Sequence, residues 1–263
     1  GLLQELKYTV IDGKPEGEIS ELVYDSRKVT KDCMFVCIKG AAYDSHDHTE
    51  EIARAGAKVI VAERPVKVPE GVTLVLVEDS RYALSMLSAA YFDHPAQKLK
   101  VIGITGTKGK TTTTFMVKGI LEHAGYKVGL IGTIETIIGD THIPSSNTTP
   151  ESYLVQKYFA QMVEAGCQIC VMEVSSQGLM HRTAGIPFEI GIFTNLAPDH
   201  IGPNEHASFE EYAACKGMLF RQCRHGIANV DDEHFDMVLA GHTCDLETIG
   251  FSDRADYRGS DME

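Results

Sequence analysis

The chain has 263 residues, 43% hydrophobic and 23% charged, with a net charge of −13, a balance expected of a globular protein with a sizeable buried core. The acidic excess, with no Lys/Arg-rich run, argues against nucleic acid as a partner, because binding a phosphate backbone relies on clustered positive charge. No uninterrupted apolar run approaches membrane length and "GLLQELKYTV" carries no signal-peptide pattern, so the expectation is a cytoplasmic protein with no membrane insertion.

In the first third, "CMFVCIKG", "AKVIVAE" and "TLVLVED" read as short buried strands, with helices at "TEEIARAG" and "SRYALSMLSAAYF". The polar connector "DHPAQKLK" closes this unit, giving an expected first domain of residues 1–97. A second, 98–263, opens with strand "KVIGIT" and a helix from Lys110, then strand "KVGLIG", the loop "IPSSNTTPES" and helix "YLVQKYFAQMVEAG". Strands "QICVMEVSS" and "EIGIFTNL", helix "SFEEYAACKGMLFRQ" and strand "GIANVD" follow. Near-continuous apolar strands alternating with helices predict an α/β fold whose mostly parallel sheets are covered on both faces. The tail "FSDRADYRGSDME" carries no closing element, so the second domain is expected to be truncated.

Seven cysteines lie among apolar residues or on helices. Cys167 and Cys170 have the spacing of a metal or redox pair, but no second pair follows at zinc-ribbon spacing. Reduced, buried thiols are expected.

The segment "VIGITGTKGKTTTTF" carries the first chemistry. A strand running into glycines and then a helix presents backbone N–H groups and a helix N-terminus, worth roughly half a positive charge, to an anion. The loop Gly106, Thr107, Lys108, Gly109, Lys110, Thr111 and Thr112 therefore reads as a nucleotide cradle. Lys110 serves the β- and γ-phosphates, and Thr111 offers a hydroxyl to Mg²⁺. The standard spacing wants glycine where Ile104 stands, so a glycine turn with no ligand is the competing reading. A switch GTPase is set aside, because its Asn-Lys-x-Asp base reader is absent.

Ligands of open parallel sheets bind outside the carboxyl ends of the strands. Glu173 ends an apolar strand there, as a Mg²⁺ ligand or as a solvated carboxylate. His200 follows the next strand, where a lone loop histidine is usually only exposed. On the following helix the stripe Phe209, Tyr212/Ala213, Lys216, Leu219/Phe220, Cys223 puts Lys216 on the inner face. That lysine either snorkels or, carbamylated by CO₂, would carry negative charge toward cations.

Together these residues resemble the Mur ligases, ATP-dependent amide-bond-forming enzymes of bacterial peptidoglycan synthesis. "GITGTKGKTTTT" is similar to that family's variant phosphate loop, which shares the irregular glycine spacing. "MEVSS", "TNLAPDH" and "EEYAACKGMLF" match its metal-binding Glu, its metal-binding His and the helix bearing its carbamylated Lys. The resemblance thus implies ATP, two Mg²⁺ ions held by Thr111, Glu173, His200 and carbamylated Lys216, and catalytic roles for Lys110, Lys216 and His200.

"VYDSRKVTKDCMFVCIKG" resembles the family's uridine-nucleotide-binding domain, with Ser26 and Arg27 toward UDP. "SSNTTP", "EVSSQGL" and "HRTAGIPFEIGIFTNL" point to the branch that adds the third stem-peptide residue, meso-diaminopimelate or L-lysine, to UDP-MurNAc-L-Ala-D-Glu. That implies Asn147, Thr148, Thr149, Ser175 and Arg182 as substrate residues and a monomeric enzyme. "DHIGPNEHASFEEY" departs from the family in lacking the Asp and aromatic after the metal His, and leaves the role of His206 open. The family's third domain, which selects the amino acid, has no counterpart here, so an inactive fragment is expected. The alternatives are another Mur-type or folylpolyglutamate-like ligase, or a non-catalytic UDP-sugar-binding module.

Overall fold

The apolar runs of the first third pair into one sheet and those of the remainder into another. The computed structural model describes residues 1–14, 16–199, 202 and 206–260 and divides into two units, Gly1–Asp93 and His94–Glu263.

The first unit contains β1 (Thr9–Asp12), β2 (Leu22–Val23), β3 (Cys33–Val36), α1 (Thr49–Ala55), β4 (Ala57–Ala62), β5 (Thr73–Leu76) and α2 (Ser80–Tyr91). Its sheet order is β1-β5-β4-β3-β2, parallel except for β1 against β5. Phe35, Ile60, Ala62 and Leu74 form its core with Ile52 of α1. Asp79 starts α2 by accepting from the backbone N–H groups of Arg81 and Tyr82, which satisfies donors that a helix N-terminus otherwise leaves unpaired.

The second unit contains β6 (Lys100–Thr105), α3 (Lys110–His123), β7 (Val128–Ile131), β8 (Glu135–Ile138), β9 (Thr141–Pro144), α4 (Ser152–Glu164), β10 (Ile169–Glu173), α5 (Ser176–His181) and β11 (Phe188–Phe193). There follow α6 (Phe209–Gly217), α7 (Leu219–Gln222), β12 (Cys223–Asn229), α8 (Phe235–Val238), β13 (Asp245–Gly250) and β14 (Tyr257–Arg258). The sheet order is β14-β13-β12-β11-β6-β10-β7-β8-β9, parallel from β14 to β7 and antiparallel through the β7–β8–β9 meander. Alternation along the central strands serves both faces. Val101, Cys170 and Met172 point to a core shared with Phe159 and Met162 of α4. Ile102, Ile104, Ile169 and Val171 point to the opposite face, where Val117 and Leu121 of α3 pack.

Strand β6 lies between β10 and β11. The chain moves to one side of β6 through α3 and crosses to the other through α5, between β10 and β11, so the strand order reverses there. The carboxyl ends of β6, β10 and β11 therefore frame the crevice in which doubly wound sheets bind ligands.

The structure differs from the sequence reading in several elements. The stretch between β7 and the loop expected at 143–152, to which the sequence reading gave no element, forms an antiparallel hairpin, β8–β9, whose mixed composition hides its period. The helix expected over residues 208–222 breaks after Gly217, where a Cβ would strike the Val238 carbonyl, and resumes as α7. Cys223 is consequently not a helical-face residue but the first residue of β12, in register with Phe188 of β11. All seven cysteines are free thiols, six buried and Cys244 half-buried.

Candidate functional site

The loop between β6 and α3 is held from outside by the segment that follows β11. Thr107 N donates to the Asn195 carbonyl at 2.8 Å and Lys108 N to Asn195 Oδ1 at 3.0 Å. Thr194 Oγ1 and Asn195 Nδ2 both donate to the Lys108 carbonyl, at 2.8 and 2.9 Å. Gly106 has φ +148° and Gly109 φ +83°, backbone conformations that side chains resist. A Cβ on Gly106 would also collide with Thr194 Oγ1, so this glycine is required by packing as well as by backbone shape.

Two ammonium groups converge inside the loop. Lys110 Nζ donates to the carbonyls of Gly106 at 2.8 Å and Thr107 at 3.2 Å. Lys216 Nζ reaches the same Gly106 carbonyl from α6 at 3.0 Å and lies 4.5 Å from the Tyr212 ring centroid. Lys216 is 2% exposed. Burial, then the charge of Lys110, pushes its pKa down to about 7, against the opposing pull of Asp199. Lys110 is also lowered by burial, an effect that Glu173 and Asp199 oppose. Tyr212 is fully buried, and its hydroxyl lies 3.1 Å from Thr107 Oγ1.

Glu173 is the last residue of β10 and 1% exposed. Its Oε2 accepts from Thr111 Oγ1 and Thr133 Oγ1, both at 3.0 Å, and its Oε1 accepts from Thr133 N at 2.9 Å. A buried carboxylate ringed by two hydroxyl oxygens at the first turn of α3 is an oxygen donor set suited to a hard divalent cation.

The other residues singled out from the sequence fall in two groups. In the first unit, Asp25 caps a short turn over Ser26–Lys28. The guanidinium of Arg27 grips Asp25 by two bonds of 2.9 and 2.8 Å, which holds the Asp25 carboxyl below its ordinary range. Ser26 Oγ accepts from the Tyr43 hydroxyl at 3.4 Å.

In the second unit, Asn147 is exposed, Thr148 Oγ1 lies 3.1 Å from Thr133 Oγ1, and Thr149 is fully buried. Thr149 Oγ1 accepts from Ser175 N at 3.0 Å, and its carbonyl accepts from Arg182 Nη1 at 2.6 Å. Ser175 Oγ caps α5 by accepting from Gly178 N, and Arg182 Nε pairs with Glu151 at 3.0 Å. Thr112 is exposed on the first turn of α3. His200 lies outside the described residues. His206 is fully buried, with Nε2 2.7 Å from Ser176 Oγ.

Sequence reasoning missed Thr133, Thr194, Asn195 and Tyr212. Each owes its place to a contact across the sheet, and only the polar "TNL" after an apolar strand hinted at two of them.

Fold and loop together define a doubly wound α/β protein with a strand–glycine–helix loop at its switch point. A family model described as the Mur ligase middle domain matches residues 104–263, and one described as Mur ligase family, catalytic domain, matches residues 18–94. The chain belongs to the Mur ligase family. It is 44% identical, over all of its length and 54% of the relative's, to UDP-N-acetylmuramoyl-L-alanyl-D-glutamate–2,6-diaminopimelate ligase 1 of Clostridium acetobutylicum. It is 41% identical, over its whole length and 55% of the relative's, to the ligase of the same description from Clostridium perfringens.

Among solved structures, a UDP-N-acetylmuramoyl-L-alanyl-D-glutamate–2,6-diaminopimelate ligase superposes with TM-score 0.83 at 24% identity, covering 95% of this chain and 53% of the other. MurF of Thermotoga maritima in complex with ADP superposes with TM-score 0.56 at 21% identity, covering 88% of this chain and 50% of the other. These two likenesses show the fold. The chain spans about half the length of the relatives it matches. Among the described residues no helix is long and apolar enough to cross a membrane.

Proposed function

We propose that the protein of which this chain is part is the ATP-dependent ligase that joins 2,6-diaminopimelate to UDP-MurNAc-L-Ala-D-Glu. The observation that carries the reading is the convergence at the carboxyl ends of β6 and β10. There Lys110 and Lys216 meet at the Gly106 carbonyl, and Glu173 gathers Thr111 and Thr133. The choice of diaminopimelate over L-lysine rests on the descriptions of relatives at 44% and 41% identity.

Loop N–H groups from Gly106 to Thr112 and the N-terminus of α3 would hold the ATP phosphates. Lys110 would neutralise charge on the phosphoryl group as it passes to the free carboxylate of the dipeptide substrate. The amine of the incoming amino acid then attacks the acyl phosphate, and phosphate leaves. Thr111 and Glu173 would hold one Mg²⁺, and His200 with Lys216 a second. Bound there, Mg²⁺ supplies Lewis-acid stabilisation of phosphoryl charge.

For the second ion Lys216 must carry a carbamate, because an ammonium repels a cation. A lysine whose pKa is pushed down to about 7 exposes a large fraction of neutral amine at neutral pH, and that is the form that adds CO₂. Ser26 and Arg27 would contact the UDP. Asn147, Thr148, Ser175 and Arg182 would contact the rest of the substrate, with Thr149 positioning Ser175 and Arg182 from behind.

The test is phosphate release by the full-length protein given ATP, UDP-MurNAc-L-Ala-D-Glu and either diaminopimelate or L-lysine, with product mass as readout. Release that requires both the dipeptide and diaminopimelate is expected. Equal release without the dipeptide sinks the ligase reading, and a preference for L-lysine sinks the choice of amino acid.

A further inference from the structure

Beside the proposed ATP site, and independent of it, His206, Glu211 and Cys215 bring one nitrogen, one carboxylate oxygen and one sulfur within 4.8 Å of one another. The sequence builds this cluster locally. Glu211 and Cys215 are four residues apart on α6, so they share one face. Ser208 caps the helix by accepting from Glu211 N, which turns the preceding residues back over its first turn. Ala207 N then donates to Glu211 Oε2 at 3.0 Å. That contact fixes the carboxylate and leaves Oε1 facing His206 Nδ1 at 3.8 Å.

His206 has no exposed surface, and its Nδ1 has no hydrogen-bond partner among the described residues. A buried ring nitrogen in that state is costly unless something completes it. The other nitrogen, Nε2, lies 2.7 Å from Ser176 Oγ. Placed as a donor to that hydroxyl, Nε2 keeps the ring proton, and Nδ1 turns a lone pair toward Glu211 and Cys215. Metal-binding histidines are oriented in just this way by a partner on the far nitrogen. A plain His⁺–Glu ion pair accounts for the spot less well, because 3.8 Å exceeds hydrogen-bonding distance.

We infer that His206, Glu211 and Cys215 form a site for a borderline transition metal of the zinc class. Nitrogen and thiolate donors select such ions over Mg²⁺, which prefers oxygen alone. Cys215 is buried, whereas the Glu211 side chain is 40% exposed, so the ion has an entry path from solvent. On binding, the Cys215 thiol gives up its proton to solvent and the thiolate takes the metal. The ion ties the turn before α6 to α6 itself and, through Ser176, to α5, so its role is structural.

The experiment uses purified protein stripped with a chelator and titrated with Co²⁺ alone, in excess Mg²⁺. The expected result is one equivalent of Co²⁺ with a thiolate-to-cobalt charge-transfer band. The band is lost in Cys215→Ser, and the affinity falls at least tenfold in Glu211→Gln, an exposed position that leaves the core intact. Zn²⁺ should displace Co²⁺ and raise the melting temperature of the wild type but not of either variant. No charge-transfer band in the wild type, a band undiminished in Cys215→Ser, or unchanged affinity in Glu211→Gln overturns the site.

Discussion

Thr111 Oγ1 donates to Glu173 Oε2 at 3.0 Å, tying the first turn of α3 to the last residue of β10 across 62 positions of sequence. The bond brings a hydroxyl from the start of α3 and the buried carboxylate of a neighbouring strand to one point. Glu173→Gln preserves shape and removes the charge. If that charge holds Mg²⁺, as proposed, the change removes several kcal/mol of transition-state stabilisation, about a hundredfold or more in kcat. Steady-state rates over a Mg²⁺ series check this, and an unchanged kcat would refute the assignment. Folding stability should fall by about 1–3 kcal/mol, since an amide nitrogen then faces donors from Thr133 or Thr111.

Lys216 is a buried cation in a packed helix face, so function and stability should part company there. Lys216→Met keeps the volume of the stem and removes the ammonium. If Lys216 serves the second ion, as proposed, ligase turnover should be abolished, while urea unfolding shows a protein as stable as the parent or up to about 4 kcal/mol more stable. A variant that keeps activity argues against any role for the lysine in phosphoryl transfer.

Tyr212→Phe deletes a hydroxyl 3.1 Å from Thr107 Oγ1. The Thr107 hydroxyl keeps its bonds with Ala197 N at 3.0 Å and with the Ala197 carbonyl at 3.3 Å, so that hydroxyl loses one contact of three. Stability should drop by about 0.5–1.5 kcal/mol, and the KM for ATP should rise severalfold with kcat little changed. A fall in kcat at constant KM would place Tyr212 in the chemistry instead.

Asp25 offers a pH test. The hydrogen bonds from Arg27 lower its pKa, and a carboxylate with a depressed folded-state pKa stabilises above its unfolded value and loses that contribution as pH falls through the folded one. Asp25→Ala should cost about 1 kcal/mol at neutral pH through the lost cap and ion pair. Asp25→Asn, which still caps, should cost less. The gap between wild type and Asp25→Asn should close in acid, below the usual aspartate range, and thermal unfolding from pH 7 to pH 2 measures it. A gap constant over that range means the ion pair contributes nothing.

Much of the site is local in sequence. The strand–glycine–helix pattern of "VIGITGTKGKTTTTF" is legible because each residue's requirement is set by its immediate neighbours. The inward place of Lys216 follows from helical periodicity alone, since Phe209, Tyr212 and Ala213 mark the face on which it sits. Periodicity failed where the helix ends: Cys223 continues the apolar stripe, yet it opens β12 because Gly217 lets the chain turn against Val238. The hairpin β8–β9 escaped because its outer strand is largely exposed, so no alternation of apolar residues marks it.

Local pattern in the sequence thus marked the central strands and helices, though not the β8–β9 hairpin, together with the glycine-bearing loop after β6 and the charged residues near it. Only the tertiary structure decided which of them meet. Asn195 grips Lys108 from 87 residues away, and Thr133 finds Glu173 across 40. His206 is turned by Ser176 toward Glu211 and Cys215. Backbone preference and hydrophobic period act over a turn or two, whereas the crevice at the ends of β6, β10 and β11 is made by sheet order, which brings together side chains whose separation along the chain carries no signal.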